Sequence, residues 1–248
     1  MSGVLDRFRL DDRVAIVTGG VRGLGRAMAE ALSSAGARVV VTSRDRASAE
    51  AAAKEISTTA IGLQVDVTSG ESVRALIAET ISRAGRLDIL VNNAGVTRRA
   101  PIESLTEAEY DAIVDTSLKG TWLCAQAALP VMRAARWGRI INISSMFDSV
   151  ALPNRTPYIA AKAGVRALTR ALALEAAADG INVNAISPGP FATAMADAGS
   201  RADLLPGIPL GRWGEPHELG PAAVFLASDA SSFMTGATLT IDGGYTAR

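Results

Sequence analysis

The feature that most constrains the fold of this 248-residue chain is a regular alternation of apolar, β-rich runs with segments of helical periodicity. The runs are RVAIVT (13–18), RVVVTS (38–43), IGLQVDV (61–67), LDILVNN (87–93), GRIINIS (138–144), INVNAIS (181–187) and ATLTID (237–242). Strands that are apolar on both faces and separated by helices predict βαβ crossovers, and hence a parallel sheet covered on both sides. We therefore predict an α/β fold in which residues 1–248 form a single domain, a doubly wound (Rossmann) parallel sheet of about seven strands.

The charge balance narrows the class of partner. The 25 basic and 25 acidic side chains cancel, so no net field favours nucleic acid or an anionic membrane. The N-terminal stretch MSGVLDRFRLDD carries charges where a signal peptide has an apolar core, and no apolar run approaches the roughly 18 residues of a membrane span. We expect a soluble, cytoplasmic protein with a small-molecule partner. The single cysteine, Cys124, lies in an apolar helical stretch and is expected in the core, and we assign no metal site.

The first strand leads directly into TGGVRGLG, which places Gly19, Gly23 and Gly25 at a strand-to-helix turn. Glycines here permit a tight turn and remove the Cβ atoms that would keep a pyrophosphate from the backbone N–H groups at the helix start. Glycines could also serve only close packing of the strand and the helix. A cluster that follows a strand and opens an amphipathic helix is nevertheless typical of a dinucleotide site.

Residues 157–164, PYIAAKAG, place Tyr158 and Lys162 one helical turn apart. A free tyrosine has a pKa of about 10 and a free lysine about 10.4, so neither transfers a proton readily at neutral pH. An ammonium beside the phenol would lower the pKa of Tyr158 toward the working range, and the alanines leave space for a cofactor ribose. An isolated YxxxK motif is usually just two polar side chains on a helix surface. Its interpretation as a functional pair therefore depends on the glycine turn and the strand order.

The combination of TGxxxGxG, NNAG and YxxxK resembles the short-chain dehydrogenase/reductase family over essentially the whole chain. The resemblance implies that Tyr158 gives a proton to a ketone as hydride arrives, or removes one from an alcohol in reverse. It implies that Lys162 also holds the nicotinamide ribose. It selects Ser145, which stands the usual distance before the tyrosine, rather than Ser144, as the hydroxyl that hydrogen-bonds the substrate oxygen.

The resemblance further implies a set of cofactor contacts and an assembly. Asp66 resembles the family's adenine contact, although it could instead cap the next helix, and Asn93 is expected to stabilise the sheet as much as it binds. The expected cofactor contacts are Gly19, Val21, Arg22, Gly23, Leu24, Gly25, Ser43, Arg44, Asp66, Val67, Asn93, Ala94, Gly95, Tyr158, Lys162, Pro188, Gly189, Phe191 and Thr193. The family commonly forms homotetramers through the long helices that contain Trp122 and Tyr158 and through the C-terminal strand, so we expect a homotetramer.

The end of the second strand bears on the choice of cofactor. An NAD-preferring site places Asp or Glu there to bind the ribose hydroxyls, whereas this chain has Thr42, Ser43 and Arg44. Arg22 in the glycine turn could add a second guanidinium near a 2′-phosphate. We therefore expect NADP(H). Asp45 could compete for Arg44, and both arginines could be solvated surface groups, so use of NAD(H) stays open.

One position departs from the family pattern. Where the helix after the fourth strand usually carries Asn, in a motif like NLKG, this chain has Ser117. In the family, that Asn is thought to hold a helix distortion whose carbonyl binds a water linked to the lysine. A serine hydroxyl could still cap the distortion. We expect Ser117 to support a working but altered proton relay; the alternative is crippled activity.

The stretch from 188 to 216 is rich in Gly and Pro and is expected to form a substrate loop or lid, in which Thr193 reaches the nicotinamide carboxamide. From Thr193 to GRWGEP this lid is brief, which predicts a rather open pocket. His217, the only histidine, follows Pro216 at a predicted helix start, and we give it no catalytic role.

Substrate choice rests on weaker patterns. GRWGEP, the SSM turn and the DGGY ending resemble gluconate 5-dehydrogenases and related sugar-acid dehydrogenases, while 3-oxoacyl-carrier-protein reductases share most of these features. Arg98, Arg99 and Arg155 are expected near the pocket entrance, where they could bind a sugar-acid carboxylate or an acidic carrier protein, or could simply be solvated. A non-enzymatic NADP-binding regulator is a third possibility, motivated by Ser117, against which the intact Tyr158, Lys162 and Ser145 argue.

Overall fold

The structure is a computed structural model that describes residues 3–194 and 203–247. One sheet of seven parallel strands runs through the described residues in the order β3-β2-β1-β4-β5-β6-β7. The strands are β1 (Val14–Val17), β2 (Arg38–Ser43), β3 (Ile61–Gln64), β4 (Ile89–Asn92), β5 (Gly138–Ile143), β6 (Ile181–Pro188) and β7 (Thr238–Ile241). The predicted doubly wound fold is confirmed.

Helices connect the strands and cover both faces of the sheet. Within the described ranges the α-helices are α1 (Gly23–Ser34), α2 (Arg46–Ile56), α3 (Gly70–Ala84), α4 (Glu107–Val114), α5 (Gly120–Ala135), α6 (Thr156–Ala176) and α7 (Gly220–Ala227). Short 3₁₀ helices include Met146–Asp148 and Pro216–Leu219. Across the described part of the chain, no helix has the length and apolar character needed to cross a membrane.

The side chains of β1 show how the sheet divides the core. Val14 and Ile16 pack on one face with residues of α3, α5 and α6, whereas Ala15 and Val17 pack on the other with residues of α1, α2 and α7. All four are buried, as expected of a central strand with helices on both sides. Cys124 of α5 belongs to the first of these clusters, so its predicted place in the core is confirmed.

The order of the strands positions the site. The chain runs outward from β1 to β2 and β3, and then returns to place β4 on the other side of β1. In open α/β sheets, ligands bind at the carboxyl ends of the strands where the order reverses. The turns that follow β1 and β4 therefore border the expected crevice, and the turn that follows β5 lies next to it.

The third strand is shorter than its sequence pattern predicts. Val65 still donates its N–H to the Ser43 carbonyl, at 2.9 Å, but the next residue, Asp66, donates its N–H to the Ser72 hydroxyl at 3.0 Å. The backbone thus turns from the neighbouring strand toward α3. Asp66 lies in the loop after β3 rather than at the end of the strand.

Candidate active site

Ser145, Tyr158 and Lys162 come together at the carboxyl edge of the sheet. Ser145 follows β5 by two residues and caps the 3₁₀ helix Met146–Asp148, with its Oγ accepting from the Phe147 N–H at 3.3 Å. Tyr158 and Lys162 lie in the first two turns of α6, and Lys162 Nζ is 5.7 Å from the centre of the Tyr158 ring. The three residues chosen for acid–base chemistry thus share one site.

The two neighbouring serines have different environments. Ser144 Oγ donates to the backbone oxygen of Lys162 at 2.9 Å, which ties the end of β5 to α6. The Ser145 hydroxyl faces the Tyr158 phenol closely enough to favour its ionised form. The geometry therefore gives Ser144 a structural contact and leaves Ser145 facing the Tyr158 phenol.

Burial acts on the tyrosine and the lysine in opposite directions. It raises the pKa of the Tyr158 phenol, while the Ser145 hydroxyl and the Arg155 charge act the other way. It lowers the pKa of Lys162 to about 8, against a weaker opposing effect of Asp148. The predicted direction for Tyr158 was wrong, because desolvation of the phenolate in an apolar surround outweighs the nearby charges.

The turn after β1 leaves the start of α1 open. Gly19 and Gly23 have φ values of 62° and 56°, in the left-handed region that glycine tolerates. Among the described helices, side chains cap α2, α3 and α4, whereas no side chain caps α1, α5, α6 or α7. The first N–H groups of α1 are thus available to an anion. Val21 and Leu24, on either side of this start, pack against the apolar core.

Glycine at position 25 allows the start of α1 to pack closely against Asn93 and the Gly19 backbone. A Cβ added to Gly25 would lie 2.4 Å from Asn93 Nδ2 and 2.4 Å from the Gly19 oxygen. Asn93 Nδ2 donates to the backbone oxygens of Thr18, at 2.9 Å, and Gly19, at 3.1 Å. Asn93 therefore ties the end of β4 to the glycine turn, as expected of a residue that stabilises the sheet.

The end of β2 presents Ser43 and Arg44 at the carboxyl edge. Asp45, which could have competed for Arg44, caps α2 instead: its carboxylate accepts from the N–H of Ser48 at 2.8 Å and from the Ser48 hydroxyl. The Asp45 carboxylate is therefore occupied as the cap of α2. Arg22, the second predicted phosphate ligand, immediately precedes α1.

Asp66 mainly stabilises its own loop. Its Oδ1 accepts from the N–H of Thr68 at 2.9 Å and from the Thr68 hydroxyl at 2.7 Å. These hydrogen bonds, more than the charge of Arg44, hold the pKa of Asp66 below its ordinary value. Val67 packs closely on Gly120, where an added Cβ would lie 2.9 Å from Val67 Cγ2.

A helix distortion is present at Ser117. Residues Asp115–Lys119 form a π-helical turn between α4 and α5, in which Gly120 donates its N–H to the Asp115 oxygen. Ser117 is buried, and its Oγ finds no hydrogen-bond partner within the described residues. The expectation that this hydroxyl caps the distortion was therefore wrong. The Thr121 hydroxyl instead donates to the Ser117 carbonyl at 2.7 Å.

Gly95 brings Ser117 and Lys162 toward one point. A Cβ built on Gly95 would lie 3.4 Å from Ser117 Oγ and 3.6 Å from Lys162 Nζ. Glycine at 95, after the small Ala94, thus leaves space in front of both polar groups. Across the glycine turn, a Cβ on Gly23 would lie 3.6 Å from Thr193 Cγ2, so Thr193 faces the open start of α1.

The loop after β6 begins with packing contacts. Pro188 ends β6, and a Cβ on Gly189 would lie 2.5 Å from the Asp242 Cα. Phe191 is buried with its ring against Gly214. Within the predicted lid, residues 195–202 lie outside the described residues. The 3₁₀ helix Pro216–Leu219 confirms the predicted helix start that contains His217.

The three arginines expected at the pocket entrance differ in their contacts and in their burial. Arg98 and Arg99 form ion pairs with nearby carboxylates, those of Glu109 and Asp203. Arg155 is buried, and its guanidinium carbon is 5.3 Å from the centre of the Phe147 ring. Of the three, Arg155 is the one whose charge acts on Tyr158.

One charged residue beside the site, Asp148, was not predicted from the sequence. Asp148 follows Ser145 by three positions, and its side chain is only 1% exposed. A single aspartate in a predicted turn is ordinarily solvated, so the sequence carried no signal for its burial.

The residues present fit a nicotinamide dinucleotide. The open start of α1 suits a pyrophosphate, and the space over Gly95 lies beside the buried ammonium of Lys162. Ser43 and Arg44 stand at the adjacent strand end, where a ribose would lie.

The chain is similar to known proteins over most of its length. The chain matches the family model described as enoyl-(acyl carrier protein) reductase over residues 19–246. A 3-oxoacyl-[acyl-carrier-protein] reductase from Haemophilus influenzae is 41% identical over 238 residues, which cover 95% of this chain and 98% of the relative. A crystal structure of a gluconate 5-dehydrogenase from Burkholderia cenocepacia, in complex with NADP and tartrate, is 40% identical with a TM-score of 0.95 and covers 99% of this chain and 100% of that one. A short-chain type dehydrogenase/reductase from Mycobacterium marinum is 37% identical with a TM-score of 0.96, over 99% and 100% of the two chains.

These similarities extend over nearly the full length of each chain, and they agree with the strand order and with the glycine, NNAG and YxxxK motifs. The chain therefore belongs to the short-chain dehydrogenase/reductase family of oxidoreductases.

Proposed function

We propose that this oxidoreductase interconverts a ketone and a secondary alcohol on a small substrate, such as a polyol or a sugar acid, with NADP(H) as its cofactor. The proposal rests on one observation. Ser145, Tyr158 and Lys162 lie together at the carboxyl edge of the sheet, next to the start of α1, which no side chain of the described residues caps. Such an edge is where doubly wound folds bind dinucleotides.

Each side chain has a distinct task in ketone reduction. The nicotinamide, when bound, supplies hydride to the carbonyl carbon. Tyr158 donates its proton to the carbonyl oxygen, and the raised pKa keeps the phenol protonated at neutral pH. Ser145 donates a hydrogen bond to the same oxygen and stabilises the charge that develops on it. The Lys162 ammonium stabilises the phenolate that remains, and in the reverse direction Tyr158 accepts the proton of the alcohol.

The preference for NADP(H) rests on Arg44 and Arg22. A guanidinium can donate two hydrogen bonds to a 2′-phosphate, and the one carboxylate close to Arg44 in sequence, Asp45, is engaged as a helix cap. The NADP-bound gluconate 5-dehydrogenase relative supports the same cofactor.

Ser117 is proposed to take part in the proton path, the relay through which a water molecule exchanges protons with Lys162. Its buried hydroxyl, which has no partner within the described chain, faces the space over Gly95 together with Lys162 Nζ. A hydroxyl both donates and accepts, so it can hold a water molecule that exchanges protons with the lysine.

A homotetramer is proposed as the assembly. Trp122 on α5 is 45% exposed, which is unusual for so large an apolar side chain and suits a helix that packs against another subunit. Light scattering of the purified protein measures the assembly directly, and a monomer would contradict this proposal.

The decisive test of function follows NADPH absorbance against keto-sugars and keto-acids, ketoacyl thioesters and simple ketones. Turnover highest on keto-sugars or keto-acids supports the leading proposal. The Haemophilus influenzae relative favours the second candidate, a 3-oxoacyl-carrier-protein reductase. That activity would appear as turnover of acetoacetyl thioesters that charge reversal of Arg98 and Arg99 abolishes. NADPH binding without oxidation by any ketone would overturn both.

A further inference from the structure

A buried carboxylate that the proposed chemistry does not use lies next to the catalytic serine. Asp148 is the last residue of the 3₁₀ helix that Ser145 caps, and its N–H donates to the Ser145 carbonyl at 2.8 Å. Its side chain is 1% exposed. A carboxylate so deeply buried costs stability unless several donors satisfy it.

Three side chains supply those donors, two of them from distant parts of the chain. Ser187 near the end of β6 donates its hydroxyl to Asp148 Oδ2. Ser149 Oγ donates to Oδ1 at 2.6 Å, and Arg166 Nη1 lies 3.4 Å from the same oxygen. Arg166 also donates to Ser149 Oγ at 2.6 Å. The carboxylate thus fastens the turn that carries Ser145 to both β6 and α6.

The same carboxylate faces the cationic side of α6. Arg166 lies one helical turn beyond Lys162, so the two cations share a helix face. Asp148 raises the pKa of Lys162 against the effect of burial. Other ionisable groups of the described residues lie nearby: Tyr158 and Arg155 stand at the start of α6 with their side chains near the Phe147 ring, and Tyr245 joins the apolar cluster that contains Phe147. The residue contributed by β6, Ser187, is neutral.

We propose that Asp148 is a positioning residue of this site, whose buried carboxylate fixes the Ser145 turn against α6 and β6 and places a negative charge on the face of α6 that carries Arg166 and Lys162. The proposal rests on the proposed roles of Ser145 and Lys162. It assigns no contact with substrate to Asp148.

The closing experiment measures the titration midpoint of the Lys162 ammonium directly by NMR and needs no substrate. The chain has three lysines, Lys54, Lys119 and Lys162, so lysine labelled with ¹³C at Cε gives few NMR signals, and Lys162→Met assigns the relevant one. In Asp148→Asn, loss of the neighbouring charge should lower the titration midpoint of Lys162 by about one pH unit. The kcat for a ketone that proves to be a substrate should fall about tenfold, with a smaller change in the KM for NADPH.

A matched control is available at the opposite edge of the sheet. Asp88 is also 1% exposed and is also bound to arginines, Arg13 and Arg86. Asp88→Asn should destabilise the protein without moving the Lys162 midpoint. Arg166→Met removes a competing cation, and it should move the midpoint in the opposite direction, upward, which also tests the proposal if Asp148→Asn does not fold.

Opposite shifts in the Asp148 and Arg166 variants support the proposal. An unchanged midpoint in both variants, or an equal shift in Asp88→Asn, would overturn it even in an active enzyme. An enzyme that reduces no ketone but shows the opposite shifts would contradict the proposed function and leave the charge relationship intact.

Discussion

Lys162 donates from Nζ to the carbonyl oxygen of Ile143 at 2.7 Å, and this bond fixes its ammonium 5.7 Å from the centre of the Tyr158 ring. The ammonium is therefore held between the end of β5 and the phenol. With a pKa of about 8, Lys162 is mostly charged at neutral pH, while burial keeps Tyr158 protonated. This combination suits a proton donor that needs a cation beside it once the proton has left.

Tyr158→Phe should remove the proposed proton donor and leave the rest of the site unchanged in shape. We expect turnover to fall about 10²- to 10⁴-fold, the usual contribution of a positioned acid or base, with NADPH affinity changed by less than about twofold. Steady-state kinetics and NADPH fluorescence titration measure the two effects. Tyr110→Phe, at a position of α4 that is 49% exposed, is the matched control and should keep full activity. Turnover above a tenth of the original in Tyr158→Phe would contradict the assignment.

Lys162→Met should change stability in a pH-dependent manner. The pKa of Lys162 is lowered from 10.5 to about 8 in the folded protein, so below pH 8 the burial of its charge destabilises the fold, by about 3 kcal/mol. Between pH 8 and 10.5 the folded protein loses this proton before the unfolded chain does, and the penalty disappears. The stability of Lys162→Met relative to the original protein should therefore decrease over this range.

Denaturant unfolding at several pH values measures this relative stability. Lys54→Met, at an exposed position of α2, is the control and should show a relative stability that does not vary with pH. A constant difference between Lys162→Met and the original protein from neutral to alkaline pH would mean that the ammonium is not buried as described.

The sheet and the Tyr158–Lys162 pair were predictable because their signals are local. Apolar runs between helical segments predict parallel strands, and a four-residue spacing places two side chains on one helix face whatever lies around them. The direction of the Tyr158 pKa was not predictable in the same way. It depends on how much apolar surface from distant segments surrounds the phenol, and Phe147 and Trp213, which share its cluster, approach it only in the folded chain.

Roles that depend on hydrogen-bond partners were the least predictable. Asp45, Asp66 and Asp148 are all aspartates near strand ends, yet one caps a helix, one holds its own loop and one is buried among Ser187, Ser149 and Arg166. The partners of Asp148 lie 18 to 39 positions away along the chain, apart from its neighbour Ser149. No spacing rule in a single sequence identifies such partners.

Arg44→Gln should weaken NADPH binding selectively. Loss of a charge-assisted hydrogen bond to a 2′-phosphate costs about 1.5–3 kcal/mol, so the KM for NADPH should rise at least about tenfold, while the KM for NADH stays nearly constant. Arg46→Gln removes the same charge two residues away, where Arg46 lies 3.9 Å from Glu50, and should have little effect. Equal losses in the two variants would show that only the overall charge matters, and a wild-type preference for NADH would overturn the cofactor assignment.

Ser117→Ala separates a catalytic hydroxyl from a merely buried one. Because Ser117 Oγ has no hydrogen-bond partner among the described residues, its removal breaks no hydrogen bond within the protein, and the free energy of unfolding should change by less than about 1 kcal/mol. Turnover should nevertheless fall, because the proton path loses the hydroxyl that would hold its water. Thr80 of α3 is the matched control, since it is fully buried and its Oγ1 is also without a partner there. Thr80→Val should keep full turnover, and unchanged turnover in Ser117→Ala would remove Ser117 from the proton path.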